Sequence, residues 1–196
     1  IERVDLGDYE GAKNILRDAQ WEQEVEQAEE MIETAKEPVR EYISGKKALI
    51  ATLRAGFVES ETTEEICRIY DRICELALKH GVEPAVLWDY ADFLRQQRCY
   101  PEGIQVAERL RDYYRLNPPE REKQAKLLRL LGTLYEKNGA YEKAEPVLRE
   151  AMELARGMYE GGKQTEYHKT LLADCCNAMG VFLWSQQCAD DSKEMF

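Results

Sequence analysis

The strongest constraint on this chain is a spaced set of bulky and small residues that recurs. Leu128, Leu131-Gly132 and Tyr135 follow the order large-x2-Leu-Gly-x2-large. After Asn138-Gly139, the residues Tyr141, Ala144, Leu148 and Ala151 continue at helical spacing. Two helices packed antiparallel need such an arrangement. Gly132 and Ala144 are small where the axes cross closely, the larger side chains fill the space around the crossing, and Asn-Gly makes the tight turn between the helices. The pattern recurs upstream, where Leu87, Tyr90-Ala91 and Leu94 match the first helix. Tyr100 stands at the turn there, and Gly103, Ala107 and Leu110 match the second helix. It recurs again downstream in Cys176, Met179-Gly180 and Leu183. The offsets are 41 residues from Ala91 to Gly132 and 48 from Gly132 to Gly180. Recurring helix pairs stack into a quasi-one-dimensional array.

The motif over residues 125 to 156 resembles the tetratricopeptide repeat. Tyr141-Glu142-Lys143-Ala144-Glu145-Pro146, with Leu148 and Ala151, is similar to the longer-period variety found in kinesin light chains and in many bacterial signalling proteins. The resemblance implies an all-α fold, with antiparallel helix-pair repeats stacked as an α-α superhelix. It spans 84–196, divided as 84–117, 125–157 and an incomplete 173–196, with the excess of the last interval expected around Gly157, Gly161 and Gly162. Gly7-Asp8-Tyr9-Glu10-Gly11-Ala12, then Leu16 and Ala19, resembles the turn and second helix of a further repeat, so 1–20 reads as a partial repeat. A chain that starts and stops inside repeats is expected to be a piece of a longer array, whose ends expose apolar surface able to pair two copies.

Residues 21–82 do not fit the motif but still read as helical. Trp21, Val25, Ala28, Ile32, Ala35, Val39 and Tyr42, then Leu49 and Leu53, form a heptad-like stripe. Such a stripe is expected to face an antiparallel helix of the same chain, or alternatively a second copy in a coiled coil. Pro38 predicts a kink or break near Glu37. A further amphipathic helix is predicted over 62–79, capped by Thr62 or Thr63 and stopped at Gly81, with Ile66, Ile69, Ile73, Leu76 and Ala77 as its buried stripe.

Composition excludes several classes. The 38 acidic against 27 basic residues give a net charge of −11, which disfavours nucleic acid and anionic membrane as partners. Residues 1 to 41 hold 13 acidic and 5 basic residues, so most of the excess lies there. The run from Glu22 to Glu33 reads as a solvated helix face or a dock for a basic partner. With 2 histidines, no Cys-x2-Cys, no His-Glu-x2-His and no phosphate-binding glycine loop, the chain offers no catalytic, metal or cofactor site. The 6 cysteines lie inside apolar helical patterns and read as reduced core thiols of a cytoplasmic protein, with Cys176 buried and Cys175 half-exposed.

Function is therefore expected from a surface. The resemblance implies that the first helices line a concave groove that binds a peptide or partner protein. By helical phase the groove residues are Trp88, Asp92 and Arg95 on one first helix, then Lys126, Arg129, Thr133 and Lys137 on the next, then Asn177, Val181 and Trp184. This set is locally basic, carries two tryptophans, and suits a ligand with acidic and apolar side chains. Some members of the family clamp a terminal carboxylate with a lysine and two asparagines. Trp88 and Asp92 replace the lysine and first asparagine here, so that mode is not expected. Two other roles fit the same residues: a regulatory or sensor segment of a larger signalling protein, and a structural spacer dimerised through the Trp21 stripe.

Overall fold

A computed structural model describes residues 19–55, 60–161 and 165–194. Seven helices occur among them, with no strand: α1 Ala19–Ala55, α2 Ser60–His80, α3 Val86–Gln96, α4 Tyr100–Leu116, α5 Arg121–Lys137, α6 Tyr141–Gly161 and α7 Glu166–Glu194. The chain divides into two units, residues 1–56 and 57–196.

In the first unit α1 runs unbroken through Pro38 and Gly45, so the expected break near Glu37 does not occur. The expected stripe also differs. Ile32, Ala35, Tyr42 and Leu49 are exposed, Val39 and Leu53 are half-buried, and the buried positions among the described side chains are Ile43 and Ile50, one residue on from Tyr42 and Leu49. One residue is about 100° around a helix, so the covered face is turned from the expected one. Trp21, Val25 and Ala28 have side chains outside the described set, and the partial repeat over 1–20 lies almost wholly outside the described residues. Glu33, Lys36, Glu37 and Arg40 tie successive turns together, with Lys36 Nζ 2.9 Å from Glu33 and Arg40 bridging Glu33 and Glu37. These acids have local cations as partners.

In the second unit helices pack as neighbours in sequence: α2 on α3, α3 on α4, α4 on α5, α5 on α6 and α6 on α7, with α5 also against α7. This is the order that stacked helix pairs produce. α2 starts at Ser60, two residues before the predicted cap, so Thr62 and Thr63 lie inside the helix. It ends as predicted at Gly81 (φ +64°), where Val82 N–H donates to Ala77 O at 3.0 Å. Its buried face is Ile66, Tyr70, Ile73, Cys74 and Ala77, with Ile69 and Leu76 only half-buried. Tyr70 displaces them because its ring stacks on Tyr90 of α3 at 4.8 Å and 9°, and lies 5.7 Å from Phe93.

The central pair α5–α6 is built as its spacing predicts. A Cβ on Gly132 would fall 2.5 Å from Leu148 Cγ and 3.4 Å from Leu148 N, so only glycine allows this approach. The turn closes through Gly139 (φ +75°), with Ala140 N–H donating to Tyr135 O at 2.9 Å and Gly139 N–H to Glu136 O at 3.0 Å. The same turn joins α3 to α4, with Arg98 (φ 62°) in the left-handed position and Cys99 N–H donating to Leu94 O at 2.9 Å. At the α3–α4 crossing, Gly103 lies over Ala91 O, and Leu134 of the next first helix would reach within 2.9 Å of its Cβ. Gly103 thus leaves room for Leu134, which is fully buried.

α7 departs from expectation. It begins at Glu166, and α6 continues through Gly157 to Gly161, so the extra length around these glycines is helix. Its buried face is Leu171, Cys175 and Phe182, packed on Ala125 and Leu128 of α5 and on Ala151 and Ala155 of α6 through the first two of these. Cys176 and Gly180 are exposed and Leu183 is 53% exposed, although these residues carry the repeat motif. The cysteine assignment is therefore reversed: Cys175 is buried and Cys176 is exposed. In a repeat, one face of a first helix meets the preceding pair and the adjacent face meets its own second helix. Among the described residues only the first contact is made.

Burial of thiols and phenols gives the fold an alkaline limit. Burial raises the Cys74 thiol to about 12 and the Cys175 thiol to about 11. Burial, together with the hydrogen bond to Glu108, raises the Tyr135 phenol to about 12. Each folded value lies above that of the free group, so the neutral form is favoured by folding. The stability is intact below about pH 8.5, near the free thiol, and falls as pH rises toward 12. Urea midpoints should therefore hold level from pH 7 to 8.5 and drop steadily above that.

Candidate functional site: a basic cleft between the first helices

The ten expected groove residues are not equivalent in the structure. On α3, Asp92 accepts from Arg95 Nε at 2.8 Å and from Gln96 Nε2 at 2.7 Å, so Asp92 and Arg95 compensate each other. On α5, Thr133 Oγ1 donates to Arg129 O at 2.9 Å, which turns its hydroxyl back on its own helix. Lys137 Nζ lies 3.2 Å from Glu136 Oε2. Glu136 is the one buried charged residue among those described, and Ser185 Oγ of α7 donates to it at 2.7 Å. That contact ties α5 to α7, and the charge of Lys137 balances it.

Lys126 also has internal partners. Its Nζ is 3.1 Å from Glu122 Oε1 and 5.1 Å from the ring centre of Tyr167, whose hydroxyl donates to the same Glu122. These contacts hold the Glu122 carboxyl below its ordinary value, the Tyr167 hydroxyl first and the Lys126 ammonium after it. On α7, Asn177 and Val181 are exposed and Trp184 is 71% exposed.

Three of the ten come together. Trp88, Lys126 and Arg129 line a cleft of about 290 Å³ with Ala85, Asp89, Lys123, Leu127 and, from α4, Leu110 and Tyr114. Leu110, Leu127 and the two aromatic rings give it apolar walls, and Lys123, Lys126 and Arg129 give one side positive charge. Lys123 and Lys126 each lie beside an acid of the preceding turn, Glu120 at 3.6 Å and Glu122 at 3.1 Å. Arg129 makes no ion pair among the described residues. Its Nε and the Trp88 indole nitrogen are buried donors that meet no acceptor among the described residues. Two buried donors without acceptors on residues that line one cleft favour a ligand that brings a carbonyl or carboxylate oxygen.

Lys123 and the α4 residues were outside the expected set. Lys123 lies a step around α5 from Lys126, and Tyr114 comes from a second helix, which phase arguments restricted to first helices do not reach. A second cleft of about 420 Å³ lies between α4, the Pro118-Pro119 loop, α5 and α6, lined by Arg111, Arg115 and Glu150 among others. None of the ten expected residues lines it. No group of three His, Cys, Asp or Glu among the described residues is placed to hold a metal ion, and none of the described helices is long and apolar enough to cross a membrane.

No curated protein and no solved structure matches the chain. Tetratricopeptide repeats in general mediate contacts between proteins. Residues 83–157 match the tetratricopeptide-repeat family, which covers α3, α4, α5 and α6 as far as Gly157, and supports a tetratricopeptide-repeat protein.

Proposed function

We propose that the chain is a non-catalytic interaction module that holds a peptide segment of a partner protein in the cleft between α3 and α5. The observation that carries this reading is that Trp88 and Arg129, whose Nε1 and Nε are buried donors without an acceptor among the described residues, both line a cleft with apolar walls and a basic side. The ligand class follows from that chemistry: an acidic side chain or carbonyl directed at Arg129, next to an apolar side chain against Trp88 and Leu127. The reading rests on Trp88, Lys126 and Arg129; Asp92, Arg95, Thr133, Lys137, Asn177, Val181 and Trp184 do not line this cleft. The five described free thiols support a reducing, cytoplasmic setting. Kinship with the long-period, kinesin-light-chain-like repeats and a place within a larger bacterial signalling protein remain parts of this proposal, resting on Tyr141 to Ala151.

The test is selection from two immobilised libraries of short peptides, one of Asp or Glu with Leu, Phe and Trp, the other of Lys or Arg with the same apolar residues. The acidic library should retain the chain, and Lys126→Glu with Arg129→Glu should release it. Retention by the basic library, or binding that survives both changes, would show the cleft assignment to be wrong.

A second reading has its own observation. Met31 and Ile32 are 73% and 59% exposed on α1, and Tyr42 is 43% exposed, which suits a dimerising spacer. Light scattering on the wild type and on Val25→Asp with Ile32→Asp tests it. A wild type that is dimeric, with a monomeric double variant, supports the spacer.

A further inference from the structure

The face of α7 that carries the repeat motif is open. Gly180 corresponds to Gly132 by sequence, and Cys176 and Leu183 to Leu128 and Tyr135. On α5 this face is covered: a Cβ at Gly132 would strike Leu148 at 2.5 Å, and Leu128 and Tyr135 are buried. On α7 a Cβ at Gly180 would meet nothing within 4 Å, Cys176 is exposed, and Leu183 is 53% exposed. The cradle that receives a second helix is thus present, with the same spacing and a glycine at its floor, and no described helix fills it.

The chain also contains a second segment of the kind that fills such a cradle. Residues 7–19, Gly-Asp-Tyr-Glu-Gly-Ala-Lys-Asn-Ile-Leu-Arg-Asp-Ala, align without a gap on residues 139–151, Gly-Ala-Tyr-Glu-Lys-Ala-Glu-Pro-Val-Leu-Arg-Glu-Ala. Seven of the thirteen positions are identical, among them Tyr9 with Tyr141, Ala12 with Ala144, Leu16 with Leu148 and Ala19 with Ala151. Those four positions of α6 include the ones that meet α5: Ala144, Leu148 and Ala151 are all buried, and Leu148 presses on Gly132. The differences at Ile15 for Val147 and Asp18 for Glu150 conserve size class and charge.

We propose that residues 7–19 of one copy of this chain dock on the Cys176–Gly180–Leu183 face of α7 in a second copy, with Leu16 against Gly180 as Leu148 lies against Gly132. The contact joins two different surfaces, so it is head to tail, and it produces a closed ring or an open chain of copies according to its rotation. It is independent of the cleft between α3 and α5, whose residues it does not use.

Sedimentation velocity over a concentration series tests the contact with four samples of the full chain. Gly180→Leu fills the cradle but leaves residues 7–19 intact. Ala12→Arg spoils the inserting segment but leaves the cradle intact. Circular dichroism should show both variants as helical as the wild type, since the Gly180 position is open to solvent. The wild type should increase in mass with concentration, and each variant alone should stay monomeric. An equimolar mixture of the two should form a dimer and nothing larger, because each pair retains one good donor and one good acceptor. Ile32→Asp should associate as the wild type does. A wild type that is monomeric throughout, a variant that associates like the wild type, a mixture that stays monomeric, or loss of association in Ile32→Asp would each overturn the proposal. The last of these would point to the exposed face of α1 instead.

Discussion

Gly132→Leu should destabilise the second unit by about 3 kcal/mol, read as a shift of the urea midpoint. The Cβ alone would stand 2.5 Å from Leu148 Cγ, and the Leu148 backbone nitrogen 3.4 Å away limits how far α6 can retreat. The chain can accommodate the change only by parting α5 from α6, and that pair is the centre of the stack. In dilute solution, where the chain is monomeric, the same substitution at Gly180 should act in the opposite direction. Nothing lies within 4 Å of that Cβ, so the change removes a helical glycine at no steric cost and should add about 0.5–1 kcal/mol. The two glycines occupy the same place in the sequence motif. The contrast between them measures whether a second helix of the same chain is seated on each.

Phe182→Ala is the second large effect, expected at about 3–5 kcal/mol. Phe182 is fully buried, and its ring lies 6.2 Å from that of Tyr141 at the start of α6. Truncation leaves a cavity beneath α7, where it is held to α5 and α6. Leu183→Ala should cost under about 0.5–1 kcal/mol, because that side chain is 53% exposed. Equal effects at the two positions would mean that the motif residue Leu183 faces the core, contrary to the structure.

These pairs show where the residues alone were informative. The α5–α6 crossing was legible because close approach of two helices demands a small residue at one place, and Gly132 stands there with Leu148 of α6 against it. The register of α3–α4 followed from the same spacing, although Arg98 holds the left-handed turn that Gly139 holds in the next pair. Local pattern failed where burial depends on what lies opposite. Cys176, Gly180 and Leu183 carry the motif, yet the same helix buries Leu171, Cys175 and Phe182, since that face meets the preceding pair. Pro38 did not end α1, because loss of one helical hydrogen bond is tolerated within a helix of 37 residues.

The cleft was legible only in part. Helical phase on the first helices selected Trp88, Lys126 and Arg129, but it could not separate cations already matched with neighbours from one that is not. Lys137 beside Glu136, Lys126 beside Glu122 and Arg95 beside Asp92 are settled by side-chain geometry, and that geometry singles out Arg129. Tyr114 and Leu110 enter the cleft from α4, so a search confined to one helix of each pair passes over them.

The most direct test of the proposed function is the affinity of one acidic, apolar peptide for three forms of the chain, measured by titration calorimetry. Arg129→Glu should weaken binding on the order of tenfold or more, about 1.4 kcal/mol, because it places a carboxylate where the ligand's oxygen is received. Arg149→Glu on α6, whose charge is matched by Glu145 at 2.5 Å outside the cleft, should bind like the wild type. Undiminished affinity in Arg129→Glu, or an equal loss in Arg149→Glu, would contradict a binding site at the cleft between α3 and α5.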